Sequence, residues 1–136
     1  MAGRDDNNIM LESANHWAHQ VIGAAIEVHR QLGPGLPEKI YESALCLELE
    51  NRSIPYRRQA LVEVRYKGVP VGQGTIDILV AEQLVVELKA VDTFAEAHRA
   101  QVLTYLKITG LPLGLLINFG VSRLKNGGIR RIILTP

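Results

Sequence analysis

The sequence predicts an α/β fold in which helices flank one mixed sheet. Two stretches near the N-terminus repeat apolar residues at three- and four-residue steps, three strand-like runs follow, and one more helical stretch precedes two further strands. Helices on both sides of a block of strands call for a sheet covered on its two faces. With 136 residues, 47% hydrophobic and 21% charged, the chain is sized and composed for one globular domain. Residues 15–136 are assigned to that domain and residues 1–14, polar and unpatterned, to a flexible N-terminal arm.

The first helix is expected from about Asn15 to Gln31, with Ala18, Ile22, Ala25, Ile26, His29 and Leu32 on its buried stripe. LGPGLP (32–37) stops it, and Pro37 suits the first turn of a second helix running to about Asn51. Glu38, Tyr41, Leu45 and Leu49 fall on one face of that helix, which places Glu38 at the rim of the apolar stripe. A carboxylate also suits the positive end of a helix dipole, so Glu38 has a purely structural explanation too.

RRQALVEVRYKG (57–68) alternates Ala60, Val62, Val64 and Tyr66 with polar residues, as a strand with one wet face does. GVPVGQG (68–74) is expected to be a turn-rich link. Two strands follow, Thr75–Val80 and Leu84–Ala90, and then a helix from about Thr93 to Thr109 that Gly110 and Pro112 end. LGLLINFG is a continuous apolar run, the mark of an interior strand, and GIRRIILTP closes the chain as a last strand.

The middle strands carry the charges that need explaining. If Ala81–Gln83 is a three-residue hairpin loop, Val80 pairs with Leu84 and Asp77 lies opposite Glu87, with Lys89 opposite Thr75 on the same face. A loop one residue shorter or longer would put the two carboxylates on opposite faces. Like charges directly opposed, with Cβ atoms about 5 Å apart, are destabilising unless something compensates them. A divalent cation would do so, and Mg²⁺ is usually held by a few hard oxygen ligands with water completing its shell. An ammonium at Lys89 could then orient a metal-bound water or meet charge developing on a phosphate. The plainer alternative is a surface salt bridge from Lys89 to Glu87 or Asp77.

Other residues point less far. Cys46 has no partner cysteine and reads as a small core residue. His29 reads as a hydrogen-bonded spacer, and His16 and His19 have the spacing of helical metal ligands without further ligands around them. Net charge is only +1, but Arg57, Arg58, Arg65 and Lys67 form one basic cluster and Arg123, Lys125, Arg130 and Arg131 another. Each is either a solvated face or a phosphate-contacting one. The N-terminus lacks a basic start followed by an apolar stretch, so no secretory signal is expected and the cytoplasm is the default location.

GAAIEVHRQLGPGLPEKIYESAL (23–45), IDILV (76–80), VVELKAV (85–91), QVLTYLK (101–107) and GLLINFG (114–120) together resemble the bacterial GxxExxY proteins of the PD-(D/E)XK nuclease-like superfamily. Gly35, Glu38 and Tyr41 match the motif that names them. The resemblance implies a restriction-endonuclease-like αβββαβ core and a nuclease acting on DNA or RNA. It implies Mg²⁺, with Mn²⁺ as a substitute, held by Glu38, Asp77 and Glu87, and Lys89 assisting the water. Gln101 and Tyr105 match a helical Q-x-x-x-Y element that contacts the scissile phosphate or supports the lysine. The chain departs from the pattern just before Asp77, where Thr75 and Ile76 stand in place of an aromatic residue and an Arg. The competing expectation is a catalytically inactive module that binds nucleic acid or protein. Under either view a homodimer is expected, with the last strand offering an edge for pairing.

Overall fold

The computed structural model describes residues 4–134. Its elements are α1 (Arg4–Leu32), α2 (Glu38–Asn51), β1 (Tyr56–Tyr66), β2 (Val69–Val80), β3 (Leu84–Lys89), α3 (Glu96–Thr109), β4 (Leu113–Asn118) and β5 (Ile129–Ile133). The five strands lie in sheet order β1-β2-β3-β4-β5. β3 and β4 are parallel and every other pair is antiparallel. Only a parallel pair needs a crossover, and α3 supplies it. This is the element order and the mixed sheet that the sequence predicts, arranged as in a restriction-endonuclease-like core.

α1 and α2 cover one face of the sheet, over Ile78, Val80, Val86, Leu88, Leu115 and Ile117. α3 covers the other, over Ile76, Leu79, Val85 and Leu116. All residues of β4 are buried, which is why that strand reads as an unbroken apolar run. On α2, Tyr41, Leu45 and Leu49 are fully buried as predicted, with Cys46 beside them. Among the described residues no helix is long and apolar enough to cross a membrane.

Three expectations change. Helix α1 begins at Arg4, so most of the segment expected to be an arm is helical. Leu11 packs on the core, Ala14 is buried, the Ser13 hydroxyl donates to Gln83 and Asn15 accepts from Arg131. These tertiary contacts, invisible to periodicity, hold the extra turns. The buried stripe of α1 is also shifted. Ala14, Ala18, Val21, Ala25 and Val28 form it, whereas Ile22 and Ile26 are half-buried and Leu32 is exposed. Small alanines at the contact let a helix approach its neighbours closely, and the larger side chains then flank the seam.

The segment expected to link two strands is itself strand. Lys67 and Gly68, with φ of 51° and 79°, make a two-residue turn of the kind that suits a tight hairpin, and β2 starts at Val69. Pro70 is tolerated because this half of β2 pairs only with β1, and the register shifts beside it, between Val64 and Arg65. The result is a two-stranded arm whose Leu61, Tyr66, Val69 and Val71 are each at least 60% exposed.

Candidate active site

The β2–β3 hairpin has the three-residue loop that the sequence predicts. Val80 pairs with Leu84, Leu79 with Val85 and Ile78 with Val86. There the main-chain ladder ends, and side chains take over at the next position. The Asp77 N–H donates to Glu87 Oε1 at 3.0 Å, and the Leu88 N–H donates to Asp77 Oδ2 at 2.9 Å. Each carboxylate thus substitutes for a carbonyl on the opposite strand, locking the two acids side by side.

The disturbance runs on into β1. The β1–β2 ladder pairs Arg58 with Ile78 and Ala60 with Ile76, but skips the intervening Gln59 and Asp77. Gln59 has a φ of 53°, a left-handed conformation that a non-glycine residue seldom adopts. Ile76 packs under α3 whereas Ile78 packs under α1 and α2, although residues two apart in a regular strand share a face. The side-chain phase of β2 therefore slips by one residue at Asp77. Beyond that point β2 and β3 diverge, so Thr75 pairs with Leu61 of β1 and the predicted juxtaposition of Thr75 with Lys89 does not form.

The gap so opened gathers the other predicted residues. Glu38 is the first residue of α2 and is half-buried. Burial raises its pKa above the usual carboxylate range, with the nearby Lys89 opposing and Asp77 adding to that rise. From the α3 side, Gln101 Oε1 accepts from Lys89 Nζ at 3.5 Å. Tyr105 lies against β2: a Cβ on Gly74 would fall 2.8 Å from its ring, so only glycine lets the tyrosine seat there. Five of the six predicted residues are thereby linked by hydrogen bonds or mutual charge, and Tyr105 packs against Gly74, three residues before Asp77 on β2.

Glu87 is the electrostatic centre of the group. It is 2% exposed. Burial first, and then the neighbouring Asp77 charge, push its pKa up to about 8. Two adjacent acids, one of them buried, with hard oxygen donors suit a divalent cation. Among the described residues no three His, Cys, Asp or Glu side chains converge on one point. The fit to a metal therefore rests on the Asp77–Glu87 pair, with Glu38 facing it from α2.

Further residues hold this arrangement in place. The Tyr41 hydroxyl donates to the Gly33 carbonyl and accepts from the Leu36 N–H at 3.1 Å, and its ring stacks on Phe119 with centroids 4.6 Å apart. The turn through Gly35, whose φ of 106° favours glycine, is thus clamped just ahead of Glu38. That gives the Gly35, Glu38 and Tyr41 spacing a mechanical meaning. Asn118, fully buried, donates to the Val91 carbonyl at 2.8 Å and accepts from the N–H groups of Val91 and Gly120. It fixes the chain just past Lys89, and its one signal in the sequence is an amide within an apolar strand. His29 is buried with Nε2 3.2 Å from the Phe119 carbonyl, the spacer role expected for it.

A second acid is missed altogether. Glu42, one turn after Glu38, is 2% exposed and accepts from Arg58 Nε and Gln59 Nε2, each at 2.7 Å, with Lys39 at 3.8 Å. Gln59 stands beside Asp77 in the sheet, so the left-handed kink that breaks the ladder also turns this amide toward α2.

Residues 15–132 match the family model of the PD-(D/E)XK nuclease superfamily. No curated protein and no solved structure matches the chain.

Proposed function

The chain belongs to the PD-(D/E)XK nuclease superfamily, and from that premise we propose that it is a divalent-metal-dependent phosphodiesterase acting on DNA or RNA. The observation that carries this reading is the interlocked Asp77–Glu87 pair, with the Glu87 pKa pushed up to about 8. Asp77 and Glu87, with Glu38 from α2, would hold Mg²⁺, or Mn²⁺ in its place. When bound there, the cation lowers the pKa of its water and withdraws charge from the phosphate. Lys89, two residues past Glu87 on the same strand, directs its ammonium at the attacking water and at the negative charge that builds on the phosphate oxygens. Water adds to phosphorus and gives up a proton to solvent, the P–O bond to the leaving sugar breaks, and the sugar oxygen takes up a proton from solvent.

The chain supplies positioning for these steps. Gln101 accepts from the Lys89 ammonium and restricts its swing. Tyr105 packs against Gly74 of β2, and the Tyr41 clamp sets the approach of Glu38. The exposed edge of β5 is proposed to pair with a second copy, which would present two such sites to two strands.

A direct test is a cleavage screen of pure protein with Mg²⁺ or Mn²⁺ against single- and double-stranded DNA and RNA. Asp77→Ala and Lys89→Ala are expected to lower the rate alike, by about 10³-fold, several kcal/mol of transition-state stabilisation, with folding intact. Wild-type protein that cuts none of these substrates with either metal overturns the proposal.

A further inference from the structure

Most of the cations in the two basic clusters of the sequence are already engaged. Arg57 is paired with Glu82, Arg58 with Glu42 and Arg65 with Glu63, while Lys67 lies over the Tyr66 ring. Arg130 lies over Phe94, and Arg131 donates to Asn15. Arg123 and Lys125 are different. Among the described residues neither pairs with a carboxylate. Both line a cavity of about 490 Å³ between the end of α1 and the loop that joins β4 to β5, together with Ser122, Asn126, His29 and Arg30.

The cavity wall is built rather than draped. Leu124, between the two cations, is 3% exposed and plugs into the core. The Gly128 N–H donates to the Leu124 carbonyl at 2.9 Å, and the Asn126 N–H to the Arg123 carbonyl at 3.0 Å. A Cβ on Gly128 would come within 2.9 Å of Leu124, so the loop closes tightly on its anchor. Arg123 and Lys125 therefore flank a fixed point and sit on a loop that does not have to be ordered on binding, which lowers the entropic cost of using them. Arg30 is committed to Glu27 at 2.7 Å and forms a rim rather than a floor.

The cavity is also tied to the catalytic strand. His29 in its wall meets the Phe119 carbonyl at 3.2 Å, and the Phe119 N–H donates to the Lys89 carbonyl at 2.8 Å. Two hydrogen bonds thus connect the cation-lined wall to the main chain of Lys89. With Arg123, Lys125, Ser122 and Asn126 along its lining, the open cavity offers a guanidinium fork, an ammonium, a hydroxyl and an amide to a phosphate dianion or diester.

We propose that Arg123 and Lys125 form a phosphate-binding subsite that holds the backbone of the nucleic-acid strand away from the scissile bond. This rests on the nuclease reading for the identity of the strand, but its test does not depend on cleavage. The experiment is fluorescence anisotropy of the full chain with a labelled single-stranded 16-mer in EDTA, across a series of salt concentrations. Wild type is compared with Arg123→Ala/Lys125→Ala and with Arg52→Ala/Arg57→Ala, which removes the same charge from exposed ion pairs outside the cavity. The cavity variant is expected to bind about tenfold more weakly and to lose about 0.7 to 1.4 from the slope of log K against log salt, at about 0.7 per phosphate contact. The control variant is expected to stay within about twofold of wild type.

Equal loss for oligonucleotides with 5′-hydroxyl and 5′-phosphate ends assigns an internal phosphate to the subsite. A loss confined to the phosphorylated form assigns the terminal one. Unchanged affinity and slope in the cavity variant, or an equal drop in the control, overturns the proposal. Both cations are surface residues, and matched circular-dichroism melts establish that the variants fold. Binding that depends on the two cations in a protein that never cleaves would leave this subsite standing while the nuclease reading falls.

Discussion

Glu42 and Glu87 are buried to the same degree, 2% exposed each, yet they occupy opposite electrostatic worlds. Glu42 has an arginine and an amide at 2.7 Å and a lysine at 3.8 Å. Glu87 has a main-chain N–H, and beside it another acid. The first carboxylate was desolvated together with its counterion, so its charge is answered within the protein. The second was desolvated beside another acid, with Lys89 offsetting only part of the cost, and its pKa rises to about 8. The contrast between the two therefore lies not in burial but in what each acid was buried with.

The largest expected consequence of that contrast lies in the pH dependence of stability. The folded-state pKa of Glu87 stands above its unfolded value of about 4.5, so the folded protein binds the extra proton between the two values. Metal-free protein is thus most stable near and below pH 4.5 as far as this group is concerned, and it loses that stability as pH rises to about 8. The loss is on the order of a few kcal/mol. Thermal melts in EDTA should show it, and Glu87→Gln should flatten the profile. If Mn²⁺ binds the pair, a concentration 100 times its Kd restores about 2.7 kcal/mol at pH 8 in wild type and little in the variant. A flat wild-type profile would break the comparison.

Glu42→Ala should cost about 2 kcal/mol in denaturant unfolding, less than a fully buried pair would, because Arg58 is 39% exposed and keeps part of its hydration. Mn²⁺ should not recover that loss. Arg58→Met sharpens the contrast by leaving Glu42 buried with only Gln59 and the more distant Lys39 beside it. It is expected to cost about 1 to 2 kcal/mol, again without recovery by Mn²⁺. The smallest effect is expected from Tyr41→Phe. Losing the clamp on the Gly33–Leu36 turn should cost about 1 kcal/mol and, if Glu38 belongs with the Asp77–Glu87 pair, weaken Mn²⁺ binding measured by calorimetry.

How much of this was legible in the sequence depended on whether the cause was local. The three-residue loop at Ala81–Gln83 fixes the Val80–Leu84 register, and from that register the adjacency of Asp77 and Glu87 follows by counting. The apolar run of β4 announced an interior strand, and Gly110, with a φ of 74°, ended α3 where expected. Glu42 could not be found in this way. On a helical wheel it is simply a carboxylate near the edge of the stripe, and its partners arrive from a strand 16 and 17 residues away. The phase slip at Gln59 and Asp77 was hidden for a related reason: β1 alternates regularly from Ala60 onward, and only the packing of Ile76 and Ile78 on opposite faces reveals the break. The early start of α1 likewise depends on contacts with Gln83 and Arg131 that no window of local sequence contains.

The interrupted ladder has one more consequence. In an ordinary sheet every amide proton meets a carbonyl, whose charge never changes. At this break the amides of Asp77 and Leu88 meet carboxylates instead. Their ¹⁵N and ¹H resonances are therefore built-in indicators: two backbone signals, needing no label or probe, that move when a proton or a cation comes to the acids and stay still when it does not.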